Sequence, residues 1–480
     1  MKTELYIIIP KIMAQPAQPQ QTVLEKVDPE VEAHINPLFK VDRILSVFGR
    51  YLDMARTLPG VVNLGQGFPD FDVPTFLQQS LAEEMTKNNS YQYCRPAGPI
   101  SLVDELALSY GPKFGGRKID PLNEVFVGNG AAGSYTAFLE IYARPGDEIV
   151  IFEPCFAYSI PPLENYGLVP KYVSLMTKGA TLEFDRSAFE SAFSPKTTLL
   201  MINSPHNPTG KVFNIEEITY ICDFLKKNYP HVVVLCDDVY SDITFGENKM
   251  NYICALPDMW KRTITMCSFG KTFSCTGWRL GFTFGPAELI GAMQAVQTLS
   301  IYCITTPIAL AAEKVLKIAR TQPYKGEENY YAWLKKAYEQ KKEAIVAAFK
   351  ASDLNIELWP TQGGYFFSGK IDKAIEGIPI KYFYKDYATN DHGGAKLDKL
   401  ESWKGLSQVD FSPDYAYANY LAAEKHIVTF PFSGFFDTML KPPHEKKCVN
   451  FIRISLCKSD ESIIRLREVL GVAQADHKHK

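Results

Sequence analysis

The sequence predicts an α/β protein: a large domain with a mostly parallel sheet in an α/β/α sandwich, plus a smaller α+β domain. Three observations predict it. From Val125 to Gly285 short, continuous apolar runs alternate with helical patterns, as in a sheet covered on both faces. The turns just past those runs carry Gly, Asn, Asp and Lys, the residue types that bind ligands at the edge of such a sheet. Beyond Pro307 a helix-rich section runs to about Ser352, and then comes a tail of mixed strands and helices.

Composition bounds the rest. A chain of 480 residues is too long for one small core, so one large or two linked domains are expected. Hydrophobic content of 46% and charge of 22% are those of an ordinary globular protein. With 54 acidic against 51 basic side chains, a net charge of -3 and no basic stripe, no nucleic-acid partner is expected. The ten cysteines show no CxxC pair, and Cys236, Cys267 and Cys303 sit in apolar runs. That pattern reads as reduced thiols of a cytoplasmic protein, with neither a disulfide framework nor a metal site. No apolar run approaches the roughly 20 residues that span a bilayer, so no membrane partner is expected.

Residues 1–35 read as a disordered N-terminal extension, because AQPAQPQQ is rich in Pro and Gln; a mitochondrial targeting role is the lesser alternative. Residues 36–85 and 326–475 are assigned to the small domain, and 86–325 to the large one. The pattern is helical from Asn36 to Leu58, then VVNLGQGFPDF (Val61–Phe71) breaks it. Gly65, Gly67 and Pro69 there demand a tight backbone close to something. Thr75–Lys87 predicts an amphipathic helix, and Tyr91–Pro99 a loop carrying Tyr91 and Tyr93. In the tail, the polar segment from Tyr382 to Phe411, with DHGGAKLDK at its centre, reads as a flexible insertion.

The residues just past each apolar run carry the functional reading. After EVFVG comes NGAAGS (Asn129–Ser134), opening a helix over Tyr135–Tyr142; such a turn offers N–H groups and a dipole end to a phosphate. After EIVIFEP comes Phe156, a core ring or a ring stacked on a planar ligand. After TTLLMIN comes SPHNPTG, whose Asn207 is an amide on a rigid turn. After HVVVLC comes Asp237, with Tyr240 three residues on; an unpaired carboxylate there is costly, and a protonated ring nitrogen would satisfy it.

After TITMCSF come Gly270 and Lys271, then Arg279 and the run LGFTFG. A lysine at a buried strand end is pushed toward the neutral, nucleophilic amine, which can capture a carbonyl. A lone lysine at such a place is more often a solvated surface residue. Ser268, Lys271 and Arg279 together suit a phosphorylated aldehyde, which points to pyridoxal phosphate. Arg453 lies in mid-run of NFIRISLCK, a strand pattern; it serves either a structural ion pair or a two-pronged grip on a carboxylate.

From Leu45 to Leu470 the chain resembles the fold type I enzymes of the aspartate aminotransferase superfamily. Within it, the chain is most similar to the kynurenine aminotransferase, glutamine transaminase K and cysteine-conjugate β-lyase group. The resemblance rests on VVNLGQGFPDF, NPTGKVF, DDVY, SFGKTFSCTGWRLGF and NFIRISLCK, in that order. Cys275 stands where the family pattern usually has an aliphatic residue, away from the chemistry. The resemblance implies an aspartate aminotransferase-like fold and a homodimer with shared active sites. It implies that Lys271 binds pyridoxal phosphate covalently and later moves a substrate proton. Asp237 would bond the pyridine nitrogen, Asn207 and Tyr240 would hold the phenolic oxygen, and Phe156 would stack on the ring. Ser268, Arg279 and the Gly130, Ala131 and Ala132 amides would bind the phosphate, with Tyr93 reaching the neighbouring subunit's phosphate. Arg453, with Gly67 and Asn207, would bind the substrate.

The activity so implied is transfer of an amino group from an amino acid to a 2-oxo acid, through a pyridoxamine phosphate form of the cofactor. Aspartate-specific relatives use a second arginine, from the partner chain, for the distal carboxylate. The matching stretch here, Gly291–Ala312, holds no arginine. A second carboxylate would be desolvated without a partner, so the expected donors are kynurenine, phenylalanine, methionine and glutamine. Two alternatives stand beside this: β-elimination from cysteine conjugates on the same site, and a non-catalytic protein of the same fold.

Overall fold

The computed structural model describes residues 28–34, 48–175, 182–384, 411–436 and 450–473. The chain forms two compact units, Met1–Ile44 and Leu45–Lys480. In the first unit the described residues hold one short helix, Pro29–Ala33. Asp28 caps it, its carboxylate accepting the Glu30 N–H at 2.8 Å, and Pro29 sits at the first helical position, where its missing N–H costs nothing. The rest of the expected N-terminal extension, residues 1–27 and 35, lies outside the described residues.

The second unit carries thirteen described strands: β1 (Val62–Asn63), β2 (Val125–Asn129), β3 (Glu148–Glu153), β4 (Val169–Ser174), β5 (Thr197–Asn203), β6 (Val233–Asp237), β7 (Thr263–Ser268), β8 (Leu280–Phe284), β9 (Glu357–Leu358), β10 (Phe366–Lys370), β11 (Ile427–Val428), β12 (Phe430–Pro431) and β13 (Phe451–Ser455). Seven of them form one sheet in the order β2-β8-β7-β6-β5-β3-β4. Neighbours from β7 to β4 run parallel, and β8 runs antiparallel to both β7 and β2. Two antiparallel steps return β2 to the common direction. All the carboxyl ends except that of β8 therefore lie along one edge.

Strand alternation sends the two faces into separate cores. Ile149, Ile151, Leu199, Met201, Val233, Leu235, Ile264 and Met266 pack with Phe138, Leu139, Ile290 and Met293, from helices Gly130–Tyr142 and Ala287–Ser300. Val150, Phe152, Leu200, Ile202, Val234 and Cys236 pack on the other face with Ile218, Ile221 and Leu225 of the helix Ile215–Asn228. The result is the expected α/β/α sandwich. The sequence pattern missed β4: VPKYVS has no apolar run, because it is an edge strand with one neighbour and a proline at its second position.

A second, four-stranded antiparallel sheet has the order β12-β13-β10-β9, and β1 pairs in parallel with β11. The helix-rich section is realised as Thr306–Thr321 and Tyr330–Lys350. Residues 385–410, most of the expected insertion, lie outside the described residues, as do 36–47 of the expected helical stretch. The two ends of the insertion meet, with the Phe411 N–H bonded to the Phe383 carbonyl at 3.0 Å.

Candidate active site

The carboxyl edge of the large sheet opens into a cleft of about 490 Å³. Ala131, Ala132, Phe156, Asn207, Asp237, Tyr240, Ser268, Lys271 and Arg279 line it from the sheet side. Gly67 and Arg453 line it from the opposite side, with Leu52, Gln66, Phe68, Phe366 and Phe430. The sequence placed eight of the nine past strand ends and Arg279 just ahead of the run LGFTFG, and they meet because β2, β3, β5, β6 and β7 end, and antiparallel β8 starts, on one edge.

Lys271 sits in a one-turn helix, Phe269–Thr272, directly after β7. Its Nζ donates to the Gly67 carbonyl at 2.9 Å and lies 5.1 and 5.4 Å from the ring centres of Tyr365 and Tyr240. Burial lowers its pKa to about 8, with the Arg453 and Arg279 charges adding to the effect. Asp237 ends β6, and burial raises its carboxyl to about 6 against the opposing pull of the Val239 N–H and Lys271. Asn203 ends β5 and ties the neighbouring turns together. Its Nδ2 donates to the Asp237 carbonyl, and its Oδ1 accepts the Asn207 N–H, both at 2.6 Å.

Two glycines allow close packing beside Arg279 and Ala131. Gly130 opens the helix Gly130–Tyr142 at φ +71°, and a Cβ there would stand 2.6 Å from the Arg279 guanidinium. A Cβ on Gly281 would lie 2.4 Å from the Ala131 nitrogen. The helix starts at Gly130, five residues before the expected Tyr135: the Gly-Ala-Ala-Gly segment is its first turn rather than a loop ahead of it. Gly130 itself lies behind Arg279 and does not line the cleft.

Arg453, in mid-strand in β13, is 2% exposed. One guanidinium nitrogen donates to the Gly65 carbonyl at 2.6 Å, and the other terminal one to Asn207 Oδ1 at 3.0 Å. The guanidinium also stacks 3.9 Å from the Phe366 ring centre, and its Nε has no partner. Among the described residues no carboxylate pairs with it. Burial accordingly pushes its pKa down to about 9. Of the two sequence alternatives, the structural ion pair is absent among the described residues. A buried cation whose described partners are all neutral is able to pair with an anion.

Tyr93 does not reach this cleft. It is 81% exposed and packs edge-on against Tyr302, ring centres 5.0 Å apart. Sequence reasoning also missed contributors. Tyr365, in TQGGYFF, donates its hydroxyl to the Lys271 carbonyl at 2.5 Å. Phe366 and Phe430 wall the cleft but read as ordinary strand aromatics. Only the polar residue closing TTLLMIN, Asn203, carried a readable signal.

The profile of the "Aminotransferase class I and II" family matches residues 59–470. The chain belongs to this family. It is 33% identical over 421 residues to mouse kynurenine–oxoglutarate transaminase 3, covering 86% of this chain and 84% of that one. The corresponding Dictyostelium discoideum kynurenine–oxoglutarate transaminase is 31% identical over 422 residues, 85% of this chain and 90% of its own. Among solved structures, Bna3p of Saccharomyces cerevisiae superposes with a TM-score of 0.74 at 24% identity, covering 94% of this chain and all of that one. Escherichia coli YbdL, with a methionine aminotransferase function, gives 0.72 at 24%, covering 88% and 96%. These two establish the fold, type I of the aspartate aminotransferase kind. The protein is an aminotransferase, of a family that generally depends on pyridoxal phosphate.

Proposed function

We propose that this cleft holds pyridoxal phosphate and transfers the amino group of a neutral aromatic or thioether amino acid to a 2-oxo acid. The donor set fits the cofactor: a buried amine lowered to about 8, a buried carboxyl raised to about 6, and Ser268 and Arg279 beside the Ala131–Ala132 helix start along the same cleft. Bound there, the cofactor would supply an electron sink for the bond broken at the substrate's Cα. The Lys271 amine would hold the cofactor, and when free it would move a proton at the substrate's Cα. Asp237 keeps the ring nitrogen protonated. Asn207 gives its Oδ1 to Arg453, which leaves its Nδ2 as the donor toward the phenolic oxygen, beside the Tyr240 hydroxyl. Phe156 would stack on the ring, and Ser268, Arg279 and the Ala131 and Ala132 amides would hold the phosphate.

The single observation that carries the substrate reading is the census of cations. The lining residues include three, Lys271, Arg279 and Arg453, and each already has a role: amine, phosphate and α-carboxylate. Among the described residues of this chain none is left for a distal carboxylate, and the wall opposite the sheet includes Leu52, Gln66, Phe68, Phe366 and Phe430. The transaminase names of the relatives agree with kynurenine-type donors and give the lyase alternative no support. In a homodimer, the exposed Tyr93 would reach the second subunit's phosphate site. The cytoplasmic placement rests on free thiols such as Cys236 and Cys267, both buried.

The test is the visible spectrum of the protein with cofactor. Phenylalanine or kynurenine, with no 2-oxo acid, should bleach the yellow band, and a 2-oxo acid should restore it. Aspartate should be at least about tenfold poorer in kcat/KM, since it would leave a charge desolvated. A preference for aspartate would sink the substrate reading. Pyruvate and ammonia released from a cysteine conjugate without any acceptor would replace transfer by elimination.

A further inference from the structure

The apolar side of the cleft contains one amide whose orientation is fixed by its neighbours. Asn63, at the end of β1, accepts the backbone N–H groups of Gly65 and Gln66 at its Oδ1, both at 3.2 Å. Two N–H donors can only meet an oxygen, so the other end of the Asn63 amide is Nδ2. That Nδ2 donates to Gln66 Oε1 at 2.8 Å. Gln66 is thereby oriented in turn: its oxygen faces Asn63, and its Nε2, with two N–H groups, faces away. No described residue accepts from Nε2, and it is not among the buried atoms lacking a partner. Gln66 lines the cleft beside Phe68, Phe366 and Phe430.

The α-carboxylate does not need this donor. Arg453 supplies a guanidinium, and the Gly67 N–H bonds no other described group. What remains for Gln66 is a neutral acceptor on the substrate's side chain, because the same wall offers no cation beyond those assigned. We propose that Gln66 is a specificity-determining residue that donates a hydrogen bond to a carbonyl oxygen in the side chain of the amino donor. The favoured donors are then neutral amino acids bearing an aryl ketone or a carboxamide, ahead of hydrocarbon or thioether side chains of the same size. A wall that is otherwise apolar makes the discrimination asymmetric: a substrate lacking the acceptor leaves the amide unpaired in the closed cleft. This rests on the aminotransferase reading of the cleft.

The experiment compares kcat/KM ratios in the cofactor-loaded enzyme, kynurenine against phenylalanine and glutamine against norleucine. Ratios are independent of the fraction of protein that folds. Gln66→Met keeps the length and removes the donor; both ratios should fall roughly five- to tenfold, the worth of one neutral hydrogen bond. Asn63→Asp can no longer donate to Oε1 and instead draws Nε2 toward its carboxylate, so the ratios should fall in the same direction. Either variant leaving both ratios within about twofold of the parent enzyme overturns the proposal, including the case of an equal loss on every substrate, which would place Gln66 at the α-carboxylate. A parent enzyme that bleaches with none of the four amino acids overturns the aminotransferase reading of the cleft and this proposal with it.

Discussion

One wall of the cleft is built from the ends of successive strands, whereas the other is assembled from segments as far apart as Gly65 and Arg453, 388 residues. On the sheet side, Asn207, Asp237, Ser268 and Lys271 lie at or within four residues of a strand end, so each position is set by local chain geometry and a shared edge. On the other side, Gly67, Phe366, Phe430 and Arg453 meet only because β1, β10, β12 and β13 fold together. The bonds differ as well. On the sheet side some bracing is local, as when Asn203 accepts the Asn207 N–H. The far wall is braced across the chain: Lys271 to Gly67, Arg453 to Gly65, Lys458 to the Phe68 carbonyl at 3.4 Å. In the proposed function the first wall would provide the chemistry and the second the recognition.

That division can be broken experimentally. Removing the reacting group on the sheet side should have the largest effect: Lys271→Ala should cut kcat by on the order of 10⁴-fold or more, with the protein still folded by circular dichroism. Retention of more than about a hundredth of the activity would show that the proton is moved by another group.

Arg453→Met tests the recognition wall. The loss of a charge-assisted, two-pronged contact should lower kcat/KM on the order of 10²-fold for every amino acid, leaving the cofactor's visible band in place. Thermal stability should hold or rise, because the arginine is buried with no ion-pair partner among the described residues. A fall in Tm of several degrees would mean that the guanidinium is structural and that the two walls share one role.

The smallest effect sharpens the electrostatics of the sheet wall. Burial lowers Lys271, so its ammonium is the majority form below about pH 8 and its amine above. Capture of pyridoxal phosphate by the cofactor-free protein needs the amine. Its rate should rise with pH, by up to about tenfold per unit, and level off above about 8. A rate still climbing at the ordinary lysine value of 10.5 would show that the site does not depress the amine.

Legibility in the sequence divides along the same line. The strand-end residues were readable because a buried parallel strand is a continuous apolar run, and whatever interrupts it stands at the edge where ligands bind. Arg453 was readable as an anomaly, a charge inside a strand, but its two explanations stayed open until its partners were seen to be neutral. Tyr365, Phe366, Phe430 and Gln66 were not readable. An aromatic in a strand looks the same whether it faces a core or a cleft. The edge strand Val169–Ser174 and the helix start at Gly130 were misjudged for a related reason: exposure and glycine content blur the periodicity that marks an element.

The sequence by itself determined the sandwich, the edge along which the cleft opens and the buried lysine at that edge, because local patterns of burial encode all three. Only the tertiary structure decided that Arg453 has no acidic partner among the described residues, that Gly67 receives the Lys271 amine and that Asn63 turns the Gln66 amide toward open space. Those are contacts between segments distant in the chain, and no period in the sequence records which distant segments will meet.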